Sequence, residues 1–480
     1  MAFLVGGANT LDSSYEIENS LRFGGGNSYL SRQFSGANTS RKTFTLSCWL
    51  KRSELGERAI IGASTTSNFY DNITFSSTDQ LDINNVASGS DAISFKTSMK
   101  FRDVSAWYHI VFGIDTTEAS GSDGIKIYIN GVLQTSLATS NYTQNATFEI
   151  GRDGSTTEIG RRPSNSDYYN VGYLSDFYYI DGQQKAASDF GETNDNGVWI
   201  PKEYDGTYGN NGFKLEFKQT GTSQNSSGIG ADTSGQDEHF AVTNLAAIDV
   251  TVDTPTNNFA TMNPLANFYA EHTFSEGNCK VVTQNEASHN SYATSTMGVA
   301  NGKWYAEFKA SAKSGGNDWF SVGVAEAMGT ASNLTLGRDT GHTSSDEAGQ
   351  IGWLGYGTDF VYQNDAYYSG STSDYDTAAY GVGDILSVAL DADNNRVYFY
   401  KNGTIQNGGT HFNIGASPTG FWHFAVGDFD NINYTWECNF GNPSNSISSG
   451  NADANGYGNF EYSVPSGYYA LCTKNLAEYG

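Results

Sequence analysis

The residues of this chain best suited to chemistry are tyrosines that lie in two polar stretches. The longer stretch, 359–380, sets its tyrosines among glycine, serine, aspartate and asparagine. A tyrosine ring in such a loop offers a flat, rigid contact area with a hydrogen-bonding tip, which suits both sugars and proteins. The alternative is packing against a domain core, because the chain contains 30 tyrosines. The predicted receptor- or ligand-binding residues are Tyr168, Tyr169, Tyr362, Tyr367, Tyr368 and Tyr375.

Sequence motifs of enzymatic catalysis are missing. Hydrolysis of a glycosidic bond needs two carboxylates that face one groove, and the sequence contains no Glu-x-Asp-x-x-Glu run that would place them on one strand. The nearest acidic strand, 248–253, contains no glutamate. Motifs of the GxSxG, HExxH and Walker types are also missing. We therefore predict a protein that is not an enzyme and has no catalytic residues.

The net charge excludes several classes of partner. The chain carries 52 acidic and 26 basic side chains, for a formal net charge of −26. Such a polyanion is repelled by phosphate backbones and by anionic membranes, so we expect no nucleic-acid partner, and no membrane contact unless divalent cations bridge it. The sequence has no apolar run of about 18 residues that could span a bilayer. The first seven residues lack the basic segment and the length of a signal peptide, which predicts synthesis in a cytoplasm.

The four cysteines look like structural residues. No CxxC pair occurs, so a zinc site is not indicated. Cys48 shares a strand face with Phe44, Leu46 and Leu50, and Cys438 shares one with Trp436 and Phe440. Both are predicted to be buried thiols. A disulfide between Cys438 and Cys472 is an alternative that a cytoplasmic product disfavours.

Strands and hairpins must position these residues. Two alternating hydrophobic segments, 125–131 and 397–403, each end in Asn-Gly, the dipeptide that most readily forms a tight hairpin turn. Further short strands recur between turn residues, and helix signals are nearly missing. The composition and pattern predict an all-β protein with two β-sandwiches in series. Pro255, Pro264 and a stretch rich in asparagine and threonine mark the boundary between them.

Two family resemblances support this organisation. The order of several short motifs in residues 21–190 resembles the laminin-G-like, concanavalin A-like jelly roll. The order of motifs in residues 268–472 resembles the SPRY domain, which is also a concanavalin A-like sandwich. We predict an N-terminal attachment segment (1–20), a laminin-G-like jelly roll with a C-terminal extension (21–250), a linker (251–266) and a SPRY-like sandwich (267–480). The motifs are 21–30, 44–51, 107–111, the hairpin at 130–131, 149–152 and 172–178 for the first family, and 302–308, 322–325, 355–357, 383–391, 399–403, 439–441 and 465–468 for the second.

The whole chain also resembles virion proteins of marine tailed phages, in which the same two domains follow one another across a linker like 253–259. This resemblance implies a tail fibre or appendage that binds a glycan or protein on the host surface. It also implies a homo-oligomer, taken to be a trimer, that contacts other virion proteins after assembly in the host cytoplasm. A capsid decoration or head-fibre protein is the first alternative, and a carbohydrate-active enzyme is the second.

The laminin-G-like resemblance also raises the question of calcium. Such domains often hold one Ca²⁺ with aspartate and asparagine oxygens, which are the ligands of a hard cation. The candidate loops contain Asp71 and Asn72, Asp153 and Asp167. Since a chain with 52 acidic residues contains such clusters by chance, we predict no cofactor and no metal and leave a structural calcium as the alternative.

Overall fold

The computed structural model divides the chain into two compact units. The first unit ends at Asn258, and the second runs from Phe259 to Gly480. The residues that the structure describes are 15–266, 272–284, 292–326, 334–339, 350–358, 361–363, 366–368, 376–417, 419–429 and 432–480.

The described strands of the first unit form two eight-stranded antiparallel sheets. The order of the first sheet is β10-β9-β8-β3-β13-β1-β18, with β16 paired to β13. The order of the second sheet is β11-β7-β6-β5-β4-β12-β2-β17, and β14 pairs with β15 alone. The elements are β1 (Ser20–Gly24), β2 (Tyr29–Gln33), β3 (Thr43–Arg52), β4 (Arg58–Thr66), β5 (Phe69–Phe75), β6 (Gln80–Ala87), β7 (Ser90–Lys100), β8 (Trp107–Asp115), α1 (Gly121–Gly124), β9 (Ile125–Ile129), β10 (Val132–Leu133), β11 (Leu137–Tyr142), β12 (Thr156–Ile159), β13 (Val171–Asp181), β14 (Gly191–Thr193), β15 (Trp199–Pro201), β16 (Phe213–Leu215), β17 (Ala241–Thr243) and β18 (Val250–Thr251).

The described strands of the second unit form a nine-stranded and a six-stranded sheet. The order of the larger sheet is β19-β20-β34-β22-β29-β30-β31, with β32 paired to β30 and β35 to β22. The smaller sheet has the order β21-β33-β23-β26-β27-β28, and β24 pairs with β25. The elements are β19 (Thr273–Ser275), β20 (Lys280–Val282), β21 (Tyr292–Thr294), β22 (Lys303–Lys313), β23 (Phe320–Ala325), β24 (Leu334–Thr335), β25 (Arg338–Asp339), β26 (Gln350–Leu354), β27 (Val361–Gln363), β28 (Ala366–Tyr368), β29 (Ile385–Asp391), β30 (Arg396–Lys401), β31 (Thr404–Ile405), β32 (Phe412–Asn413), β33 (His423–Asp428), β34 (Tyr434–Asn439), β35 (Tyr469–Ala470) and α2 (Thr473–Tyr479).

This architecture confirms the predicted all-β class, with two large sheets in each of the two units. Each unit has its own hydrophobic core, which contains Leu46 and Cys48 in the first unit and Trp436 and Cys438 in the second. All four cysteines are buried, and Cys48 and Cys438 belong to the two hydrophobic cores, as predicted. Burial in apolar surroundings raises the pKa of the Cys48 thiol to about 12. Within the described residues, helices long and apolar enough to cross a bilayer do not occur.

The two Asn-Gly hairpins have the same geometry. Asn130 and Gly131 have φ values of 47° and 79°, and Asn402 and Gly403 have values of 49° and 78°, as a two-residue type I′ turn requires. The side chain of each asparagine also makes a hydrogen bond, because its Oδ1 accepts a backbone N–H of the neighbouring strand. The donor is His109 N at 2.7 Å for Asn130 and Ile385 N at 2.9 Å for Asn402.

We expect Asn402→Ala to lower the free energy of unfolding of the second unit by about 2 kcal/mol. Alanine disfavours the left-handed conformation by about 1–2 kcal/mol, and the change also removes the hydrogen bond to Ile385, worth about 1 kcal/mol. Urea denaturation of the full chain measures the loss. Asn402→Gly is the matched control, since glycine adopts the left-handed conformation without strain and loses only the side-chain hydrogen bonds to Ile385 and Asp384. Equal losses in both variants would contradict this account.

The outer face of the first sheet is covered by the chain itself. Every residue of β3 after Thr43 is buried, which means that both faces of the strand are shielded from water. Thr45 Oγ1 donates to the carbonyl of Gln183 at 2.8 Å, and Val111, Tyr178 and Phe190 belong to a second apolar cluster on this face. Residues 183–208 therefore act as a cover over this sheet.

Residues at both ends of the first unit also pack onto it. Ser20 pairs with Thr251 between β1 and β18, and Tyr15 Oη donates to Asp176 Oδ2 at 2.8 Å. Asp253, Thr254 and Thr256, which the sequence assigned to the linker, are buried in the first unit. The division between the two units lies after Asn258, inside the segment 251–266. The N-terminal residues 1–14 lie outside the described residues.

Candidate functional site: a pocket at one end of the second sandwich

A pocket of about 390 Å³ lies at one end of the second unit, where the two sheets meet. Four strands place its walls. Because β23 and β26 are antiparallel, the start of β23 lies beside the end of β26, and the start of β29 likewise lies beside the end of β30. The lining residues, which define the Tyr356 pocket, are Asn317, Asp318, Gly355, Tyr356, Gly357, Ala379, Tyr380, Gly381, Asp384 and Lys401.

One wall of the Tyr356 pocket is aromatic. The Tyr356 ring stacks on Trp319 with ring centroids 4.1 Å apart, and Trp319 in turn contacts Phe429 at 5.0 Å. Tyr356 keeps 40% of its surface exposed, although a tyrosine can be packed much more deeply, as Tyr380 is in the same pocket at 3%. The stack therefore fixes an aromatic surface that remains open to a ligand.

The opposite wall is charged, with acids and bases paired. Lys313 Nζ lies 2.8 Å from Asp318 Oδ1, and Lys401 Nζ lies 3.2 Å from Asp384 Oδ2. Partial burial acts to raise the pKa of Asp384, but hydrogen bonds from Gly381, Asn402 and Lys401 outweigh it and hold the pKa below its ordinary value. Asp384 is therefore a carboxylate at neutral pH, and the pocket presents balanced acceptors and donors.

Glycines make room for this arrangement. A Cβ atom on Gly381 would lie 2.8 Å from Cγ of Asp318, and one on Gly355 would lie 2.5 Å from the Tyr380 carbonyl oxygen. Neither distance is compatible with a real side chain. The two glycines therefore let the Asp318 carboxylate and the backbone of residue 380 approach closely and shape the pocket.

Two strands beside the pocket contain three of the predicted binding residues, Tyr362, Tyr367 and Tyr368. Tyr362 lies in β27 and pairs with Tyr367 in β28, where Tyr368 follows, and β27 pairs with β26, whose end forms part of the wall. The side chains of these three tyrosines lie outside the described part of the chain, as does Tyr375 altogether. Tyr380 is a core residue, because its Oη donates to the carbonyls of Trp353 at 2.6 Å and Phe320 at 3.0 Å.

Tyr168 and Tyr169 lie in the first unit, on a loop where arginines stack on tyrosines. The Arg162 guanidinium lies 3.7 Å from the centre of the Tyr168 ring, and Arg161 lies 3.8 Å from that of Tyr29, next to Tyr169. Both tyrosines are half-buried. Tyr168 also has a φ of 53°, which is strained for an aromatic residue. The two tyrosines therefore pack against neighbouring side chains and also keep part of their surface exposed.

Two of the calcium candidates, Asp71 and Asp167, have other partners in this structure. The carboxylate of Asp71 is buried and accepts hydrogen bonds from Asn85 Nδ2 and from the backbone N–H groups of Glu149 and Ile150. Asp167 forms a two-pronged ion pair with Arg162, with both contacts at 2.7 Å. Across the described residues, no group of three or more histidine, cysteine, aspartate or glutamate side chains could hold a metal ion.

A buried serine–histidine pair in the first unit lacks the arrangement of a catalytic pair. His109 Nδ1 accepts a hydrogen bond from Trp199 Nε1 at 2.9 Å, so the ring proton lies on Nε2, which is 2.9 Å from Ser47 Oγ. A protonated Nε2 donates to the hydroxyl and cannot remove its proton. Burial also lowers the pKa of His109 to about 3, which keeps the ring neutral. We define Trp49, His109 and Trp199 as the Trp–His stack, since both indoles lie against the imidazole.

Comparison with known proteins supports the fold. Residues 24–181 match the family model described as the concanavalin A-like lectin/glucanases superfamily, which confirms the predicted laminin-G-like, concanavalin A-like domain. No curated protein matches the chain.

Similar solved structures include a SPRY domain. The SPRY domain of human HERC1 is 16% identical, covers 37% of this chain and 96% of its own, and has a TM-score of 0.28. A heptameric SAP-like pentraxin from Limulus polyphemus is 15% identical over 36% of this chain and 80% of its own, with a TM-score of 0.28. A candidate carbohydrate-binding protein from Bacteroides ovatus is 15% identical over 48% of this chain and 60% of its own, with a TM-score of 0.34.

Sequence reasoning missed the residues that shape the pocket. Trp319, Tyr356 and Asp318 were not predicted as site residues, although Gly355, Tyr356 and Gly357 were recognised as a SPRY-like motif. A tyrosine between two glycines is a local sign of an aromatic ring held at a turn. Its partner Trp319 directly precedes β23, far away in the sequence, so only the fold shows that the two rings stack.

Proposed function

We propose that this protein is a non-enzymatic binding protein and that its second unit binds a glycan in the Tyr356 pocket. The observation that carries the proposal is the exposed Tyr356 ring, stacked on Trp319 and facing a lining that contains Asp318, Asp384 and Lys401. A concanavalin A-like fold in the first unit is compatible with this role.

The chemistry of the pocket suits a sugar. The C–H face of a pyranose ring packs on an aromatic surface, and carboxylates accept hydrogen bonds from its hydroxyl groups while an ammonium donates to them. Since the formal net charge of the chain is −26, acidic glycans are repelled at long range. We therefore propose a neutral oligosaccharide as the ligand.

The same pocket offers little for hydrolysis. A glycosidase needs one carboxyl group with a raised pKa to protonate the leaving oxygen. Asp384 has a lowered pKa because Gly381, Asn402 and Lys401 donate to it, and Asp318 is paired with Lys313. Asp384 therefore remains a carboxylate, which binds hydroxyl groups but does not act as an acid.

We expect Tyr356→Ala to weaken glycan binding at least tenfold, which corresponds to about 1.4 kcal/mol. The change removes the aromatic surface, while Trp319 keeps its contact with Phe429. Titration calorimetry of the full chain with neutral oligosaccharides, chosen from an array, measures the affinity. Gly381→Ala should have a similar effect, because its Cβ would displace the Asp318 carboxylate.

Two further variants locate the site. Val382→Ala is the matched control, because Val382 is 51% exposed beside the pocket but does not line it; its affinity should be unchanged. Tyr168→Ala tests the arginine–tyrosine loop of the first unit. A loss of binding in Tyr168→Ala with full binding in Tyr356→Ala would move the site to the first unit and overturn this proposal.

We propose that Tyr367 and Tyr368 extend the binding surface. We also propose that the protein is part of a phage virion, as a fibre or appendage that contacts the host. The support is the sequence resemblance to virion proteins, together with the position of β27 and β28 beside β26. Replacing both tyrosines with alanine should weaken adsorption to host cells and leave the fold intact. Unchanged adsorption would favour the alternative, a capsid decoration or head-fibre protein.

Copy number and oligomeric state separate these two alternatives. A tail appendage occurs in tens of copies or fewer, and a decoration protein in hundreds, as counted by quantitative mass spectrometry of virions. We propose a homotrimer, since a fibre commonly closes around a three-fold axis. Light scattering that shows a stable monomer at high concentration would contradict the trimer.

A further inference from the structure

A lysine, an asparagine and an aspartate meet in the interior of the first unit. Lys51 Nζ donates to Asn258 Oδ1 at 2.8 Å and contacts Asp253 Oδ2 directly. The Asn258 side chain is held from the other end, because its Nδ2 donates to the Ser105 carbonyl at 2.7 Å. Lys51 Nζ is therefore hydrogen-bonded to the side-chain oxygen of Asn258, and the amide carbon Cγ is bonded to that oxygen at about 1.2 Å.

The surroundings of these three groups are dry and aromatic. Lys51 is 1% exposed, Asp253 0% and Asn258 7%. The Lys51 ammonium lies 4.9 Å from the centre of the Tyr173 ring, and Trp107 Nε1 donates to the second oxygen of Asp253 at 3.2 Å. Burying two opposite charges in such a place is costly. Transfer of one proton from Lys51 to Asp253 removes both charges and leaves a neutral, nucleophilic amine.

We propose that Lys51 and Asn258 form an intramolecular isopeptide bond, with Asp253 as the proton carrier. The neutral Nζ attacks Cγ of Asn258, and a new N–C bond forms in a tetrahedral adduct. Asp253 gives its proton to Nδ2 and takes one from Nζ. The Cγ–Nδ2 bond then breaks, ammonia leaves, and it takes up the remaining proton of Asp253 as ammonium. No oxidant or reductant is needed, since one amide replaces another.

Geometry supplies most of what this reaction requires. An amine and an amide that are held in contact react in an intramolecular step. For well-aligned groups, the effective molarity of such a step reaches about 10⁵ M or more. The fold holds both partners, since Lys51 belongs to β3 and Asn258 ends the unit 207 positions later. The bond closes the first unit covalently, so that its last residue is tied to a central strand.

The mass of the purified full-length protein tests the proposal. We expect the folded wild type, after incubation at neutral pH, to weigh about 17 Da less than its sequence, the mass of one ammonia. Digestion and tandem mass spectrometry should give a branched peptide that joins Lys51 to Asn258. The full sequence mass would overturn the proposal. So would a loss of ammonia that maps to Asn258 without Lys51, because a succinimide at that residue has the same mass.

Variants and an internal control sharpen the test. Lys51→Arg keeps a positive charge beside Asp253 but lacks the amine, and Asp253→Asn keeps the shape but lacks the proton carrier; both should retain the full mass. A bond in Asp253→Asn would overturn the role of Asp253. Lys42 Nζ lies 3.0 Å from Asn145 Oδ1 at an exposed site, and this pair should stay unlinked in the same digest. If a variant fails to fold, the presence or absence of the branched Lys51–Asn258 peptide in the wild-type digest is the test of the proposal.

Discussion

We expect Trp199→Ala to lower the free energy of unfolding of the first unit by about 3 kcal/mol. Loss of a packed tryptophan costs about 3–5 kcal/mol, and Trp199 is half-buried, which places the effect at the low end. The indole fills a slot that only glycines leave open: a Cβ on Gly131 or on Gly191 would lie 2.5 Å from its ring. Removing it leaves a cavity and also takes the hydrogen-bond donor from His109.

Chemical denaturation followed by fluorescence measures this loss, with Trp199→Phe as the matched control. Phenylalanine keeps an aromatic ring in the slot and loses only the N–H donor, so its cost should be about 1 kcal/mol. A loss in Trp199→Phe as large as in Trp199→Ala would mean that the hydrogen bond, rather than the packing, holds the cover of residues 183–208 in place.

The second large effect is a loss of stability in mild acid through His109. Its pKa is about 3 in the folded protein because of burial, against an ordinary value of 6.5. As pH falls below 6.5, His109 binds a proton in the unfolded chain but stays neutral in the folded chain. The stability contributed by neutral His109 is therefore present above pH 6.5 and is lost as pH falls toward 3. At pH 5 the loss is about 2 kcal/mol, from about 1.4 kcal/mol per pH unit.

His109→Gln isolates this contribution from that of the other titrating groups. Glutamine can accept from Trp199 and donate to Ser47 but does not titrate. The groups that face the His109 ring are Ser47, Trp49 and Trp199, none of which titrates in this range. We expect the wild type to lose about 2 kcal/mol more than His109→Gln between pH 8 and 5 in urea denaturation. Parallel pH dependences would show that His109 takes up its proton at the same pH in the folded and the unfolded chain, which would contradict the lowered pKa.

The sequence predicts the strands and hairpins well because these depend on local patterns. Alternation placed Cys48 and Cys438 on core faces, and Asn-Gly placed both tight turns, since each signal lies within a few residues. The segment 251–258 was different. Its proline, threonines and asparagines predict a linker and give no sign that Asp253 is buried, because Lys51, which pairs with Asp253, lies far away in the sequence.

The candidate site was also hard to predict from the sequence, because its residues lie far apart in the chain. The Tyr356 pocket combines four separated segments, and their approach is set by strand pairing between residues such as Ser321 and Leu354. Composition pointed to tyrosines in polar stretches, which led to the neighbourhood of the pocket. It could not show that Tyr380 is a core residue or that Tyr356 stacks on Trp319. Helix α2 was also missed, since it is seven residues long and has no side-chain cap.

The pairing of β1 with β18 has a consequence for how the protein is made. Ser20 Oγ and Thr251 Oγ1 are hydrogen-bonded across 231 positions of sequence, so the first sheet is incomplete until its last strand has left the ribosome. A fold that closes through such distant contacts folds slowly, and its unpaired strand edges stay exposed during that time. Truncation before residue 250 should therefore yield an aggregating chain, and chaperones that shield nascent strands should raise the yield of the complete one.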